Sequence, residues 1–201
     1  MRRQRNLLGP QGMGGMVGLW GKNSFIRSTQ SADVALTNSV ASTTGSITPV
    51  NTSNAYISWN ASYGNQNTGN PPSSTFNIIE LTNATTVTTS RGSGSGANTL
   101  YCYYQVFEYE PGIIKSMQSG TIAMGSGVDN ASATITSVVA NKSLLVFRGW
   151  HTNDTATGAT PWDFQMWGTR IQLVNSTTVT VSRYTNNTAT VTAGYTVVEF
   201  F

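Results

Sequence analysis

Two stretches of the chain alternate apolar and polar side chains with a period of two. In one, Leu100, Cys102, Tyr104 and Val106 share a face; in the other, Val191, Ala193, Tyr195 and Val197 do. Both are rich in β-branched and aromatic residues, as is Thr178-Val179-Thr180-Val181-Ser182, so each reads as a half-buried strand. No segment carries helical periodicity. Clusters of Gly, Asn and Ser punctuate the strands closely enough to predict roughly six or seven of them per 85 residues, the pattern of an antiparallel sandwich.

The pattern occurs twice. Ile26-Arg27-Ser28-Thr29-Gln30-Ser31 returns as Ile114-Lys115-Ser116-Met117-Gln118-Ser119 at an offset of 88, where Ile47-Thr48-Pro49-Val50 also meets Ile135-Thr136-Ser137-Val138 and Trp59 meets Phe147. At an offset of 92, Ile79, Leu81, Asn83, Thr85 to Thr88, Ser90 and Arg91 meet Ile171, Leu173, Asn175, Thr177 to Thr180, Ser182 and Arg183. Tyr104, Val106, Glu108 and Tyr109 meet Tyr195, Val197, Glu199 and Phe200 at 91. Matches that keep their order while the offset drifts are what a duplicated unit with loop insertions leaves behind. The expectation is an all-β chain of two tandem antiparallel β-sandwich domains, residues 26–109 and 114–201, joined by a short linker at 110–113 and preceded by an extended arm at 1–25. A linker of four residues forbids independent tumbling, and a stiff rod is expected.

The repeat assigns roles. Cys102 falls opposite Ala193, which reads as a small buried hydrophobe and not as a reactive thiol. Arg91-Gly92-Ser93-Gly94-Ser95-Gly96 lacks the Lys-Ser/Thr ending of a phosphate loop and precedes a strand, so it reads as a hairpin tip. Glu108 and Glu199 close otherwise apolar strand faces, where an unpaired carboxylate is costly to bury. If the first and last strands of each unit lie side by side, Arg27 pairs with Glu108 and Lys115 with Glu199; Arg91 lies at the wrong end of that ladder.

Composition narrows the chemistry. Of 201 residues only 9% are charged, whereas Ser and Thr together number 52 and Asn 18. A single Cys excludes an intramolecular disulfide, and no run approaches the ~18 apolar residues of a membrane-spanning helix. The net charge is +3, but four of the 11 basic residues, Arg2, Arg3, Arg5 and Lys22, lie in the first 25 residues, and the remaining seven face eight carboxylates. A basic arm on a neutral body suits a protein partner better than nucleic acid, which is not expected. The apolar stretch that a secretory signal needs is broken by Gly9, Pro10, Gly12, Gly14 and Gly15. The arm therefore reads as an assembly anchor, with Arg2, Arg3 and Arg5 supplying charge and Met13, Met16, Val17, Leu19 and Trp20 supplying apolar grip.

Catalysis needs a nucleophile, base and orienting group, or paired carboxylates. His151 is the only imidazole, Asp154 and Asp163 are near it in sequence, and no nucleophile elbow accompanies them. No enzyme, cofactor or metal site is expected. A hydrolase would need Asp154 and Asp163 to reach across a groove. The same segment does gather Trp150, His151, Asn153, Asp154, Trp162, Asp163, Phe164 and Trp167, where the first unit has a polar stretch. Aromatic faces beside carboxylates suit a host surface glycan, since rings stack on sugar C–H faces while Asp and Asn take hydroxyls. Three Trp are costly to leave in water, so a cap on the sandwich or a subunit interface is the preferred role. Eight Asn-X-Ser/Thr sequons are what this composition produces by chance.

The run Gln118-Ser119-Gly120-Thr121-Ile122, then Ala133-Thr134-Ile135-Thr136-Ser137-Val138, then Leu173-Val174-Asn175-Ser176-Thr177-Thr178-Val179-Thr180-Val181-Ser182-Arg183, closing on Tyr195-Thr196-Val197-Val198-Glu199-Phe200, resembles a β-rich module of virion proteins of tailed bacteriophages. The resemblance spans residues 26–200; the first unit departs from it in ending Val106-Phe107-Glu108-Tyr109 and in its Gly/Ser tip. It implies a particle component, a decoration, fibre or tail appendage made in the host cytoplasm and displayed on the virion, and it carries over no catalytic residues. Its partners would be other capsid or tail proteins and copies of itself, a trimer by analogy.

Overall fold

The computed structural model describes residues 25–64, 76–92, 99–153, 168–184 and 189–201. These residues form twelve antiparallel strands, with one short 3₁₀ turn at Ala140–Lys142 and no α-helix. In the first half the strands are β1 (Ile26–Leu36), β2 (Ser42–Ser46), β3 (Ala55–Gly64), β4 (Asn77–Asn83), β5 (Thr86–Arg91) and β6 (Leu100–Tyr109). In the second they are β7 (Ile114–Met124), β8 (Asn130–Thr134), β9 (Ser143–Thr152), β10 (Thr169–Asn175), β11 (Thr178–Arg183) and β12 (Val191–Phe200).

The two halves pair their strands by one scheme. β6 lies between β1 and β3, and β5 between β2 and β4; correspondingly β12 lies between β7 and β9, and β11 between β8 and β10. Each pair of three-stranded layers encloses one apolar core. The first contains Val34, Ile57, Ile79, Val87, Cys102, Tyr104 and Val106, and the second Ile122, Met124, Val179, Val181, Val191, Ala193, Tyr195 and Val197. The alternating residues of β6 and β12 thus point inward in both halves, as their period of two requires.

The halves are also joined beyond their linker. β4 and β9 meet through a bridge between Ile78 and Gly149, which makes β2-β5-β4-β9-β12-β7 one six-stranded sheet. A third apolar cluster fills the seam, with Tyr56, Ile114, Val146 and Val198 buried and Phe107, Tyr109, Met117 and Phe200 packed around them. Tyr56 lies 5.3 Å from Phe107 and 6.0 Å from Tyr109 between ring centroids, and Tyr109 lies 5.6 Å from Phe200. The linker makes its turn at Gly112, whose φ of +86° is open to glycine at little steric cost.

Candidate functional site

The polar side chains that bind other parts of the body fall into two sets, those that recur in both halves and those that do not. The recurring set holds backbone. Arg91 donates from Nε to Val40 O (2.9 Å) and from Nη2 to Thr37 O (2.9 Å), tying the β1–β2 turn. Arg183 does the same for the β7–β8 turn, from Nε to Val128 O (2.8 Å) and Nη2 to Gly125 O (2.9 Å). The side-chain amides of Gln30 and Gln118 each bridge both backbone groups of one residue, Thr48 and Thr136. A planar guanidinium or carboxamide satisfies several backbone groups from a fixed geometry, which is why identity at these positions accompanies the turns.

The two carboxylates belong to the same set. Glu108 accepts from Asn51 N–H (3.0 Å) and Ser28 Oγ (2.9 Å), and Arg27 Nη1 stands 3.8 Å from Oε1. Glu199 accepts from Val139 N–H, Ser116 Oγ and Lys115 Nζ, each at 2.9 Å. The Asn51 N–H, helped by Ser28 and Arg27, draws the Glu108 carboxyl below its usual range against the opposing effect of burial. For Glu199 the direct Lys115 hydrogen bond leads, followed by Val139 N–H, and brings the carboxyl down to about 2. Both pairings named from the sequence are thus within ion-pair reach. The sequence did not reveal that each carboxylate also fastens the loop before β3 or β9 through a backbone N–H.

The set that does not recur has two parts, of which the first lies where the halves meet. Arg148 on β9 is only 2% exposed and donates to three strands: Nε to Tyr195 O (3.0 Å), Nη1 to Ile79 O (3.2 Å) and Nη2 to Gly120 O (2.9 Å). Its nearest carboxylate, the exposed Glu80, is 3.8 Å from Nη1. Burial lowers the pKa of the guanidinium and Glu80 opposes this; an arginine remains charged all the same. The side chain is aimed by a β-bulge, since β9 places two residues, Arg148 and Gly149, between those paired with Ala193 and Tyr195. Gly149 has φ +90°, and a Cβ there would run into the Asn77 carbonyl. Beside Arg148 lies a cavity of ≈160 Å³ lined by Tyr56, Glu80, Met117, Ser119 and Thr196 among others.

A second unrepeated cluster sits in the first core. Trp59 Nε1 donates to Ser62 Oγ (3.2 Å) and Asn77 Oδ1 (3.4 Å), Ser62 Oγ bonds Asn77 Oδ1, and Asn77 Nδ2 donates to Thr89 Oγ1 (2.6 Å). Cys102 adjoins it; burial pushes the thiol up to about 11, only partly offset by Asn77 and Thr89. A thiol so raised is not a nucleophile at neutral pH. It has the place of a core residue that the repeat assigned to it.

Of the proposed glycan loop, Trp150 and His151 are described. Trp150 is buried in the second core and stacks on Phe76 at 3.9 Å between centroids. His151 is half-buried, and burial lowers its pKa. Asp154, Trp162, Asp163, Phe164 and Trp167 lie outside the described residues, as do the arm residues Arg2, Arg3, Arg5, Met13, Met16, Leu19 and Trp20. Among the described residues no three of His, Cys, Asp and Glu gather to hold a metal, and no helix is long and apolar enough to cross a membrane. Neither a scan against protein-family models nor searches of curated proteins and of solved structures finds a match to this chain.

Proposed function

We propose that the chain is a non-enzymatic structural component of a bacteriophage virion, a capsid decoration or a fibre or tail appendage. It is built as two tandem β-sandwich domains, residues 26–109 and 114–201, behind an N-terminal arm that anchors it to the particle. The observation that carries this reading is where the buried charges go. Arg91, Arg148 and Arg183 bind backbone carbonyls, and Glu108 and Glu199 bind backbone N–H groups, so these ionised groups serve to hold shape. That use of charge, together with a low-charge Ser/Thr/Asn surface and the module resemblance, suits a part whose task is to stand on a particle. Copies associate as a closed oligomer, a trimer by analogy.

Immunogold electron microscopy of purified particles, with antibody against residues 114–201, tests the reading. Gold over the capsid assigns decoration, and gold at the tail end assigns an appendage. Particles free of label, from lysates in which the antibody detects the chain, would sink the proposal. If label is confined to the tail end, titration of tryptophan fluorescence with host polysaccharide tests the adhesin role of the 150–167 segment, and a saturable change would establish it.

A further inference from the structure

The end of the molecule where the two halves exchange chain carries an apolar groove of ≈360 Å³, lined by Phe25, Tyr109, Gly112, Ile113, Phe200 and Phe201. Phe25 is 62% exposed and Phe201 70%. Single exposed apolar residues are ordinary, but several aromatics around one concavity mark a surface that another group covers. The groove is also the open end of the seam, because Tyr109 and Phe200 line it and pack against the seam cluster. Its volume falls within the ~300–1,000 Å³ of pockets that take a ligand-sized group.

Residues 1–24 join the body at Phe25, which is itself a wall of the groove. Trp20 is five residues from Phe25, a reach of up to about 17 Å for an extended chain, and the link between them is the polar Gly21-Lys22-Asn23-Ser24. Half of the apolar side chains of the segment stand together near its body end, in Met16, Val17, Leu19 and Trp20, while Arg2, Arg3 and Arg5 stand at its far end. A tether this short holds its apolar group at an effective concentration on the order of millimolar, ahead of any free competitor. Charge agrees with the same placement, since Lys22 lies in the link and Glu110, whose N–H donates to Phe25 O at 2.9 Å, stands beside it.

We propose that residues 16–20 of the same chain seat in this groove, with Trp20 as the buried anchor. The arm then has two parts, a near part that closes the body and a far part, residues 1–15, that carries the arginines outward at a set point. This does not rest on the virion reading, because it is a property of the isolated protein.

The test is ¹⁹F NMR of the full chain labelled with 5-fluorotryptophan. The five Trp give separate signals, and Trp20→Phe assigns one of them. Exposure is read from broadening by a soluble gadolinium chelate. The Trp20 signal is expected to be protected in the parent and to lose its protection in the double variant Phe25→Ser/Phe201→Ser. The Trp59 and Trp150 signals, from residues packed in the body, stay put and certify the fold. A Trp20 signal that is exposed in the parent, or indifferent to the double variant, overturns the proposal. Protection that disappears on dilution overturns it too, because the occupant is then a segment from a second copy.

Discussion

The two halves share a backbone scheme and differ in what they bury. Where the first half places Trp59, Ser62, Asn77, Thr89 and Cys102, the second places Phe147, Trp150, Thr169, Val181 and Ala193 at the matching positions. On the outer sheet face, Tyr101 and Tyr103 of β6 correspond to Thr192 and Gly194 of β12. A side chain at Gly194 would press on Ile78 and Arg148, at 2.8 and 3.2 Å from a Cβ, whereas Tyr103 is exposed. The comparison teaches that the devices that fasten turns are common to both halves, and that the halves differ in their core polar groups and where one covers the other. Small residues on β12 let β4 approach, and a bulge that β3 and β9 share carries Asn60 in the first half and, in the second, the cation Arg148 that holds the junction.

The largest expected effect comes from breaking that junction. Arg148→Met leaves the carbonyls of Ile79, Gly120 and Tyr195 without this donor and should cost about 3–5 kcal/mol in urea unfolding. The matching Asn60→Met, on an exposed residue of β3, should stay within about 0.5 kcal/mol. Equal effects would refute the asymmetry. Gly149→Ala meets both a positive φ and the Asn77 carbonyl and should cost at least about 2 kcal/mol, against about 0.5–1 for Ala61→Gly at the equivalent place. Thr89→Val brings the first core to the residue that the second carries at 181. It leaves Asn77 Nδ2 without its Thr89 partner, for an expected loss of about 1–3 kcal/mol in the same assay.

The carboxylates give a smaller, pH-dependent contrast. Glu199 titrates near 4.5 when free of the fold and near 2 within it, so between these values the unfolded chain binds more protons and stability rises with pH. The contribution is complete above about pH 4.5 and is lost as pH falls through 2. Lys115→Gln removes the leading cause, so its acid-unfolding curve should meet the parent's below pH 2 and separate from it above pH 4.5. Curves that separate only at neutral pH and above would count against this assignment. Arg27→Gln should do least, under about 0.5 kcal/mol and less in high salt, because Arg27 is 54% exposed and 3.8 Å from its partner.

The recurring devices were legible in sequence because a side chain that fastens backbone must keep its type. Arg91 with Arg183, Gln30 with Gln118 and Glu108 with Glu199 all stand out at their offsets. The inward faces of β6 and β12 were legible for the same reason that any half-buried strand is, their strict alternation. The seam was not. Phe107, Tyr109, Val198 and Phe200 lie on the opposite faces of those strands, and a period of two cannot say whether the second face meets water or a neighbour. The sequence therefore suggested two sandwiches in tandem along a rod, whereas the halves also share a sheet and a third apolar cluster. Arg148 escaped notice because the bulge that aims it breaks the alternation by which its direction would have been read.

Both ends of the described fold leave the body at one pole. Glu110 N–H bonds Phe25 O at 2.9 Å, and Phe201 N–H bonds Ile113 O at 3.3 Å, so the first strand starts and the last strand finishes beside the linker. Mechanical load between residues 25 and 201 would therefore not stretch the long axis of the strands. It would enter at the Ile26–Tyr109 and Phe200–Ile114 rungs and peel β1 from β6, or β12 from β7, one rung after another. Hydrogen bonds opened in sequence yield at lower force than rungs sheared together, so a body held by both ends is a release point, whereas a body held by one end alone carries no tension at all.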